Sequence, residues 1–264
     1  MTSRREFLKA ASLTLGGVGV GLAGLRLARA EEHEIEVAAS TLRWAMVVDL
    51  PRWIDLQDHE QVFQVCHRAH NVPDFSGLAD PEERIRHAIK WIWDEPFANA
   101  FPGQHHEVMT ERYREAAAPV LCNHCESPSC VRVCPTQATW KRDDGIVMMD
   151  MHRCIGCRYC IIACPYGSRS FNFRDPVQGL DPGSITPSYP RRMRGVVEKC
   201  TFCSELSDGS GGAWEPECVR ASQGALSFGN LRDPRSEVRR LLSERFSIRR
   251  KPDLGTNPYV FYLI

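Results

Sequence analysis

The sequence predicts an α+β fold, rich in loops, whose short strands and helices are organised around bound metal groups. Three observations carry this. Twelve cysteines occur in 264 residues, and eleven of them fall between Cys122 and Cys218. Two matching turns, Cys134-Pro135 and Cys164-Pro165, mark an internal repeat over residues 119–175. Each of those turns leads toward a short apolar stretch that reads as a strand.

Composition is otherwise ordinary: 43% hydrophobic, 25% charged and zero formal net charge. The length suits one or two domains. No strong basic excess exists, so nucleic acid is not expected as a partner.

Residues 1–30 read as a targeting segment. Ser3-Arg4-Arg5-Glu6-Phe7-Leu8-Lys9 is a twin-arginine signature. A mild, glycine-rich apolar stretch follows from Ala10 to Leu25, and Ala28-Arg29-Ala30 is a small-x-small cleavage site. The alternatives are an ordinary N-terminal helix and a retained membrane anchor. Three features in the correct order argue against the first. The glycine content argues against the second, since spanning takes ~20 strongly apolar residues. Cleavage would leave 28 basic and 32 acidic residues, a net charge of −4. No later segment is long and apolar enough to span a bilayer. Export with an even cysteine count would ordinarily suggest disulfides. The twin-arginine route carries folded proteins, so a metal group can be inserted in the reducing cytoplasm and then protect its own thiolates.

Further along the chain, Trp44-Ala45-Met46-Val47-Val48-Asp49 reads as a short buried strand. Residues 71–118 form an insertion without cysteine. Asp80-Pro81-Glu82-Glu83 is a helix start. Ile85, Ala88, Ile89 and Ile92 recur at helical spacing, which predicts an amphipathic helix over 81–94. Trp91 and Trp93 read as core or groove residues, with a partner surface as the alternative. Ile146-Val147-Met148-Met149 is a short strand between the repeats. Residues 175–195 are rich in Pro, Gly and Ser and read as a loop. Asp233-Pro234 starts a last helix over about 235–246, and Pro258 to Leu263 reads as a final strand.

The first cysteine motif is Cys122-x2-Cys125-x4-Cys130-x3-Cys134-Pro135, and the second is Cys154-x2-Cys157-x2-Cys160-x3-Cys164-Pro165. The second has the spacing of a bacterial [4Fe–4S] ferredoxin. Three thiolates on one tight loop reach three corners of a cubane. The fourth points away, and the proline after it redirects the chain. In two-cluster proteins that fourth cysteine ligates the other cluster. This assigns Cys122, Cys125, Cys130 and Cys164 to one cluster, and Cys154, Cys157, Cys160 and Cys134 to a second. Zinc is the alternative, but zinc sites take two cysteines per loop rather than three plus a crossed fourth. A c-type haem is excluded, because no CxxC is followed by His.

The third motif, Cys200-x2-Cys203-x14-Cys218-x3-Ser222, has serine where the pattern asks for a fourth cysteine. Upstream, Cys66 stands alone. Residues 53–65 carry Trp53, Leu56, His59 and Val62 where three further cysteines would be needed. Under the crossed-ligand rule the two defects remove one whole ligand set and spare the other. Cys66, Cys200, Cys203 and Cys218 then hold a third cluster, and twelve cysteines make three complete cubanes. The alternative is a buried free thiol at Cys66 beside a degenerate or zinc-bearing third motif.

These motifs, with Lys199-Cys200-Thr201-Phe202-Cys203, Gly229-Asn230-Leu231-Arg232-Asp233-Pro234 and Leu254-Gly255-Thr256-Asn257-Pro258, resemble the multi-cluster ferredoxin subunits of membrane oxidoreductases. That family serves polysulfide, dimethyl sulfoxide and formate-linked nitrite reductase systems, and usually carries four clusters. The twin-arginine signal and Cys66-His67-Arg68-Ala69-His70-Asn71-Val72-Pro73 are similar to the DsrO subunits, the periplasmic ferredoxin-like components of DsrMKJOP complexes of dissimilatory sulfur metabolism. The resemblance implies an integral membrane partner of the NrfD type (DsrP), a multihaem cytochrome c partner (DsrJ-like), the other Dsr subunits, and exchange with the quinone pool. It implies a periplasmic protein held at the cytoplasmic membrane through those partners. The expected organisation is tandem ferredoxin-like modules. Residues 1–30 are the signal peptide and 119–194 a two-cluster module. Residues 31–118 with 195–264 form a degenerate one-cluster module carrying the insertion 71–118 and the C-terminal helix and strand.

The function expected is electron relay without bond-making chemistry. The iron–sulfur subunit of a molybdopterin-dependent reductase is the runner-up. An iron–sulfur enzyme with an open iron would need a non-cysteine corner, for which Ser222 is the foothold, and a zinc-stapled scaffold is a third reading. Lys141, Arg142, Arg153, Arg158 and Lys199 flank ligands and could stabilise reduced clusters, although such charges are commonly just solvated. His105-His106 and the pair His67 and His70 could suggest another metal, but surface or core roles are commoner.

Overall fold

The computed structural model describes residues 42–103, 111, 113–207 and 214–264. The expected signal segment and His105-His106 lie outside these. Elements are numbered in chain order. The first are β1 (Trp44–Asp49), α1 (Leu50–Asp55), α2 (His59–Ala69), α3 (Pro81–His87), β2 (Ile92–Pro96) and α4 (Phe97–Ala100). The cysteine-rich middle holds β3 (Ala117–Leu121), α5 (Ser129–Arg132), β4 (Thr139–Lys141), β5 (Val147–Met149), α6 (Tyr159–Ile162) and β6 (Ser170–Phe171). The last are β7 (Val197–Glu198), α7 (Glu217–Ala221), β8 (Leu226–Asn230), α8 (Glu237–Glu244), β9 (Ser247–Ile248) and β10 (Val260–Leu263).

The apolar run Trp44–Asp49 is buried along its whole length, as a strand covered on both faces should be. It lies inside a four-stranded sheet of order β8–β1–β10–β9. It runs parallel to β10, with Met46 opposite Val260, and antiparallel to β8, with Met46 opposite Phe228. This sheet joins the N-terminal and C-terminal parts of the chain. Asp49 ends the strand and caps α1, its carboxylate accepting from the Arg52 N–H at 3.3 Å. Arg245, beyond α8, closes on the same carboxylate.

Three two-stranded ladders complete the sheets: β2–β3, β4–β5 and β6–β7. The β2–β3 ladder ties the insertion to the first cysteine motif, and β6–β7 ties the second motif to the third. Both edges of the expected module 119–194 are therefore crossed by backbone hydrogen bonds. One core takes Trp44, Trp53, Trp91, Val120, Ile146, Phe202 and Tyr262 from all parts of the described chain.

The helix expected over 81–94 is shorter. It begins as predicted, with Asp80 accepting from the Glu82 N–H and Pro81 in the first turn, but ends at His87. Ile85 is 79% exposed, so the supposed apolar face does not meet the core. The following Trp91-Ile92-Trp93 run is rich in strand-favouring residues, and β3 offers a partner edge: Ile92 lies opposite Leu121 and Pro96 opposite Ala117. Pairing with β3 outweighs the helical spacing. The other elements differ only in extent. The strand expected from Ile146 is Val147–Met149, the last helix is Glu237–Glu244 and the final strand is Val260–Leu263. The 175–195 loop contains two short 3₁₀ turns, at Pro176–Gly179 and Pro182–Ser184. Among the described residues no helix is long and apolar enough to cross a membrane.

Trp91 is buried, and its indole N–H donates to Glu198 Oε2 at 2.7 Å. Arg192 Nε lies 2.9 Å from the same oxygen and Asn172 donates to Oε1 at 2.7 Å. A buried carboxylate is tolerated only with such partners. Trp91→Phe is expected to lower stability by about 1–3 kcal/mol, the cost of leaving a buried acceptor short of one donor. Denaturant titration of the loaded protein, with iron content unchanged, checks this.

Candidate metal centres

The first motif leaves β3 at Cys122, turns through His124 in the left-handed region (φ 42°), and places Cys130 on α5. Helices α5 and α6 pack together, and the Ser129 hydroxyl donates to the Ala163 carbonyl at 2.6 Å. That contact brings the end of the second motif, Cys164, to the first. Burial pushes the Cys125 thiol up to about 12, and Cys122, then Cys130 and Cys164, add to the shift. The Cys164 thiol is raised by burial and by Cys122 and Cys130. Cys122, Cys125, Cys130 and Cys164 thus share one electrostatic neighbourhood.

The second motif walls a small pocket whose cysteine lining is Cys134, Cys154, Cys157 and Cys160. The rest of the lining includes Ala138, Thr139, Met149, Ile155 and Val197, so thiols dominate the ligand chemistry on offer. Gly156 makes this loop possible. Its φ is +71°, and any side chain there would bring Cβ to 2.4 Å from the Gly195 carbonyl oxygen. At Cys134 burial pushes the thiol up, but N–H groups of Thr139, Thr136 and Ala138, with the Thr136 hydroxyl, outweigh it and lower the pKa. Donors of this kind stabilise a thiolate.

The third set is the most buried. Cys66, Cys200, Cys203 and Cys218 are each less than 8% exposed. Helix α2 starts on Asp58, which accepts from the Gln61 N–H, and buries Val62 and Cys66, one turn apart. It packs against α7, which carries Cys218. Burial raises the Cys66 thiol, and Cys218, Cys200 and Cys203 raise it further. Burial pushes Cys218 up to about 12. His70 braces the set: Nδ1 lies 2.6 Å from the Cys66 carbonyl oxygen and Nε2 lies 2.6 Å from Glu205 Oε1.

The sets sit next to one another. Cys160 is influenced by Cys130, and Cys200 by Cys122. Between the first and third sets the rings of His124 and Phe202 stack at 3.7 Å. Burial, then Lys199, Arg43 and Arg169, drive the His124 pKa far down, so the ring is neutral. Its Nδ1 accepts from the Val147 N–H at 3.0 Å.

Other sequence candidates resolve differently. Ser222 is fully buried, and its hydroxyl is used twice, donating to the Val219 carbonyl at 2.7 Å and accepting from the Leu226 N–H at 3.0 Å. It ends α7 and aligns β8, which removes the foothold for an open iron. Lys141 pairs with Glu126 at 2.6 Å, Arg142 with Asp144 at 2.7 Å and Arg153 with Asp150 at 3.4 Å. Arg158 lies over the Phe171 ring. Lys199 is buried, its ammonium on the Val147 and Cys200 carbonyls. His67 faces a separate polar cleft with Arg68, Asn71 and Asp74. A residue that sequence reading did not single out, Arg169, donates to Cys130 Sγ at 3.1 Å. Its one signal is a charged residue at the entrance to a buried strand.

The donor sets fit cubanes better than single ions. Zinc gathers thiolates at about 2.3 Å from one centre. Among the described residues, the only trio whose ligand atoms lie within 4.8 Å of one another is His70, Cys203 and Glu205; no three sulfurs come that close. Both ring nitrogens of His70 are already engaged. Four cysteines converging on each site, spaced more widely than a single ion would draw them, suit an iron–sulfur core with a sulfur at each corner.

Residues 114–177 match the family model of a 4Fe-4S dicluster domain. Similar curated proteins include the Hdr-like menaquinol oxidoreductase iron-sulfur subunit 1 of Archaeoglobus fulgidus, 40% identical across 99% of this chain and 98% of that protein. The iron-sulfur cluster-binding subunit of menaquinone reductase from Nitratidesulfovibrio vulgaris is 33% identical, over 84% of this chain and 89% of that one. A tetrathionate reductase subunit of Salmonella typhimurium is 33% identical over 99% of this chain and 88% of its own length.

Two substitutions separate the roles assigned above. Gly156→Ala is expected to cut iron content, because the loop carrying Cys154, Cys157 and Cys160 can no longer close against Gly195. Ser222→Ala is expected to keep full iron content while losing about 1–3 kcal/mol, the cost of an unpaired buried N–H at Leu226. Iron and sulfide analysis beside a denaturation midpoint reads both.

Proposed function

Since this chain belongs to the family of iron–sulfur electron-transfer subunits of membrane-associated oxidoreductase complexes, we propose that it relays electrons through three [4Fe–4S] clusters in a periplasm-facing complex of dissimilatory sulfur metabolism. Its relatives are electron-transfer subunits rather than catalytic ones, and the clusters supply one-electron chemistry when bound. The chain's own residues hold, space and insulate them. The proposed ligands are Cys122, Cys125, Cys130 and Cys164 for the first cluster, and Cys154, Cys157, Cys160 and Cys134 for the second. Cys66, Cys200, Cys203 and Cys218 hold the third.

The observation that carries this is the convergence of Cys66, on α2, with the three cysteines of the third motif in one buried site. The second set, with Cys157 exposed, lies at the surface and the third lies deep, with the first between them. Electrons therefore pass along that line, in either direction. In this reading the chain is a DsrO-type subunit and hands electrons between a quinone-reactive NrfD-type membrane subunit (DsrP) and a multihaem cytochrome c (DsrJ-like). The naming of two relatives as menaquinol or menaquinone enzymes supports the quinone side. The twin-arginine segment supports export, and the tandem-module organisation follows from the paired motifs. A molybdopterin-linked role is favoured by one observation, the full-length likeness to the tetrathionate reductase subunit.

Iron and sulfide analysis is expected to give three four-iron clusters per chain, and Cys66→Ser to remove only one. An unchanged cluster count in that variant would remove Cys66 from the ligand set. Mild detergent pull-down from native membranes is expected to recover a haem c protein with a polytopic membrane subunit. Recovery of a molybdopterin subunit instead moves the assignment to the runner-up.

A further inference from the structure

Arg169 is 5% exposed and forms no ion pair with a carboxylate among the described residues. Its Nη2 donates to Cys130 Sγ at 3.1 Å and to Thr139 Oγ1 at 2.8 Å, and its Nη1 lies 3.7 Å from Met149 Sδ. Thr139 in turn donates to the Met148 carbonyl at 2.7 Å, so its oxygen presents a lone pair to the guanidinium. Thr139 and Met149, the other two partners of this guanidinium, line the pocket walled by Cys134, Cys154, Cys157 and Cys160, and Cys160 packs in one buried cluster with Cys130. Cys130 belongs to the first proposed cluster and Cys160 to the second. The guanidinium therefore stands at the junction of two ligand sets, anchored by a threonine between them.

A buried cation without a counter-charge is costly, by several kcal/mol. The anions available to Arg169 are thiolates. Burial works against its charge, but Cys130, Cys160, Cys122 and Cys164 outweigh this and hold it protonated. Those four residues come from both ligand sets. A cubane held by four thiolates is a net anion that becomes more negative on reduction. A fixed cation beside two such groups favours the reduced form of each, and offsets the repulsion that an electron on one exerts on the other. Charge and hydrogen bonding to the sulfurs are established levers on cluster potential.

We propose that Arg169 is a positioning residue for electron transfer, a fixed cation shared by the first and second cluster sites that raises both reduction potentials together. This rests on the ligand assignment proposed above. The third site is the internal control, since no hydrogen bond links Arg169 to its cysteines.

The test is potentiometric titration of the whole, cluster-loaded protein followed by electron paramagnetic resonance. Iron and sulfide are measured first, so that a failure of the three-cluster reading is recognised separately. The Cys66→Ser variant identifies the third cluster's signal. R169Q is expected to lower both other midpoint potentials, each by at least a tenfold change in its reduction equilibrium, about 59 mV for a one-electron couple. R169K, which keeps the charge, is expected to restore most of that shift. Unchanged potentials, movement of one cluster alone, or an equal shift of all three overturns the proposal. If R169Q loses a cluster, T139V decides. It keeps the charge but frees its position, and is expected to lower the same two potentials; no change in them overturns the proposal.

Discussion

The structure depends on one electrostatic constraint: thiols are buried beside thiols. Cys66, Cys200, Cys203 and Cys218 sit out of water, and Cys218, Cys200, Cys203 and Glu205 push the Cys66 thiol up beyond the effect of burial alone. A thiolate formed at any of them would be repelled by its neighbours, and the surrounding apolar residues would do nothing to stabilise it. A metal core does, because it exchanges four protons for a compact positive centre. In the proposed ligand assignment, folding and loading are coupled, most tightly where the ligands are farthest apart in sequence. Cys66 comes from α2 and Cys218 from α7, and the packing of those helices has meaning as a ligand arrangement as well as a core.

Much of the proposed site was legible because ligand geometry is local. Three thiolates on one loop reach three corners of a cubane at a fixed spacing, and a proline turns the chain after the fourth. The strand Trp44–Asp49 was legible for a similar reason, since a continuous apolar run has few other fates. Residues 81–94 were not, because Ile85, Ala88, Ile89 and Ile92 fit a helix by spacing while the decisive interaction, the ladder of β2 with β3, is non-local. Basic residues failed in an instructive way. Those flanking the motifs were singled out, and Lys141, Arg142 and Arg153 turned out to face carboxylates. Arg169, which reaches a sulfur, lies five residues after the last ligand of its motif. Distance along the chain does not separate these residues, since Lys141 and Arg142 lie farther from a cysteine than Arg169 does; what separates them is whether the side chain is turned toward the buried sulfurs or toward a carboxylate.

Ser222 shows the same limit from the other side. In sequence it reads as a ligand lost. In three dimensions it is a hydroxyl with two backbone partners, one ending α7 and one fixing the start of β8. Upstream, where three more cysteines would stand, the chain forms α1 and α2 instead. Trp53 is buried there and donates to Asp94 at 3.0 Å, while His59 bridges Asp94 and the Trp53 carbonyl at 2.7 Å each. These contacts make a satisfied polar network over an aromatic core, which is a stable alternative to a metal site only when every member is paired.

The two replacements support each other. A loop that lost its thiolates without gaining Trp53, His59 and the cap at Ser222 would leave polar backbone buried without partners. With them, α2 keeps its register and still delivers Cys66 to the remaining set. In the proposed assignment the helix that stands where a fourth ligand set would lie itself carries Cys66, a ligand of the neighbouring site. In that assignment the neighbouring site, the deepest of the three, is the inner end of the proposed electron path, and the stacked rings of His124 and Phe202 lie between it and the first site. Burial, with Lys199, Arg43 and Arg169 nearby, keeps the His124 ring uncharged, so this stack adds no further fixed charge to the one that Arg169 places between the first and second sites.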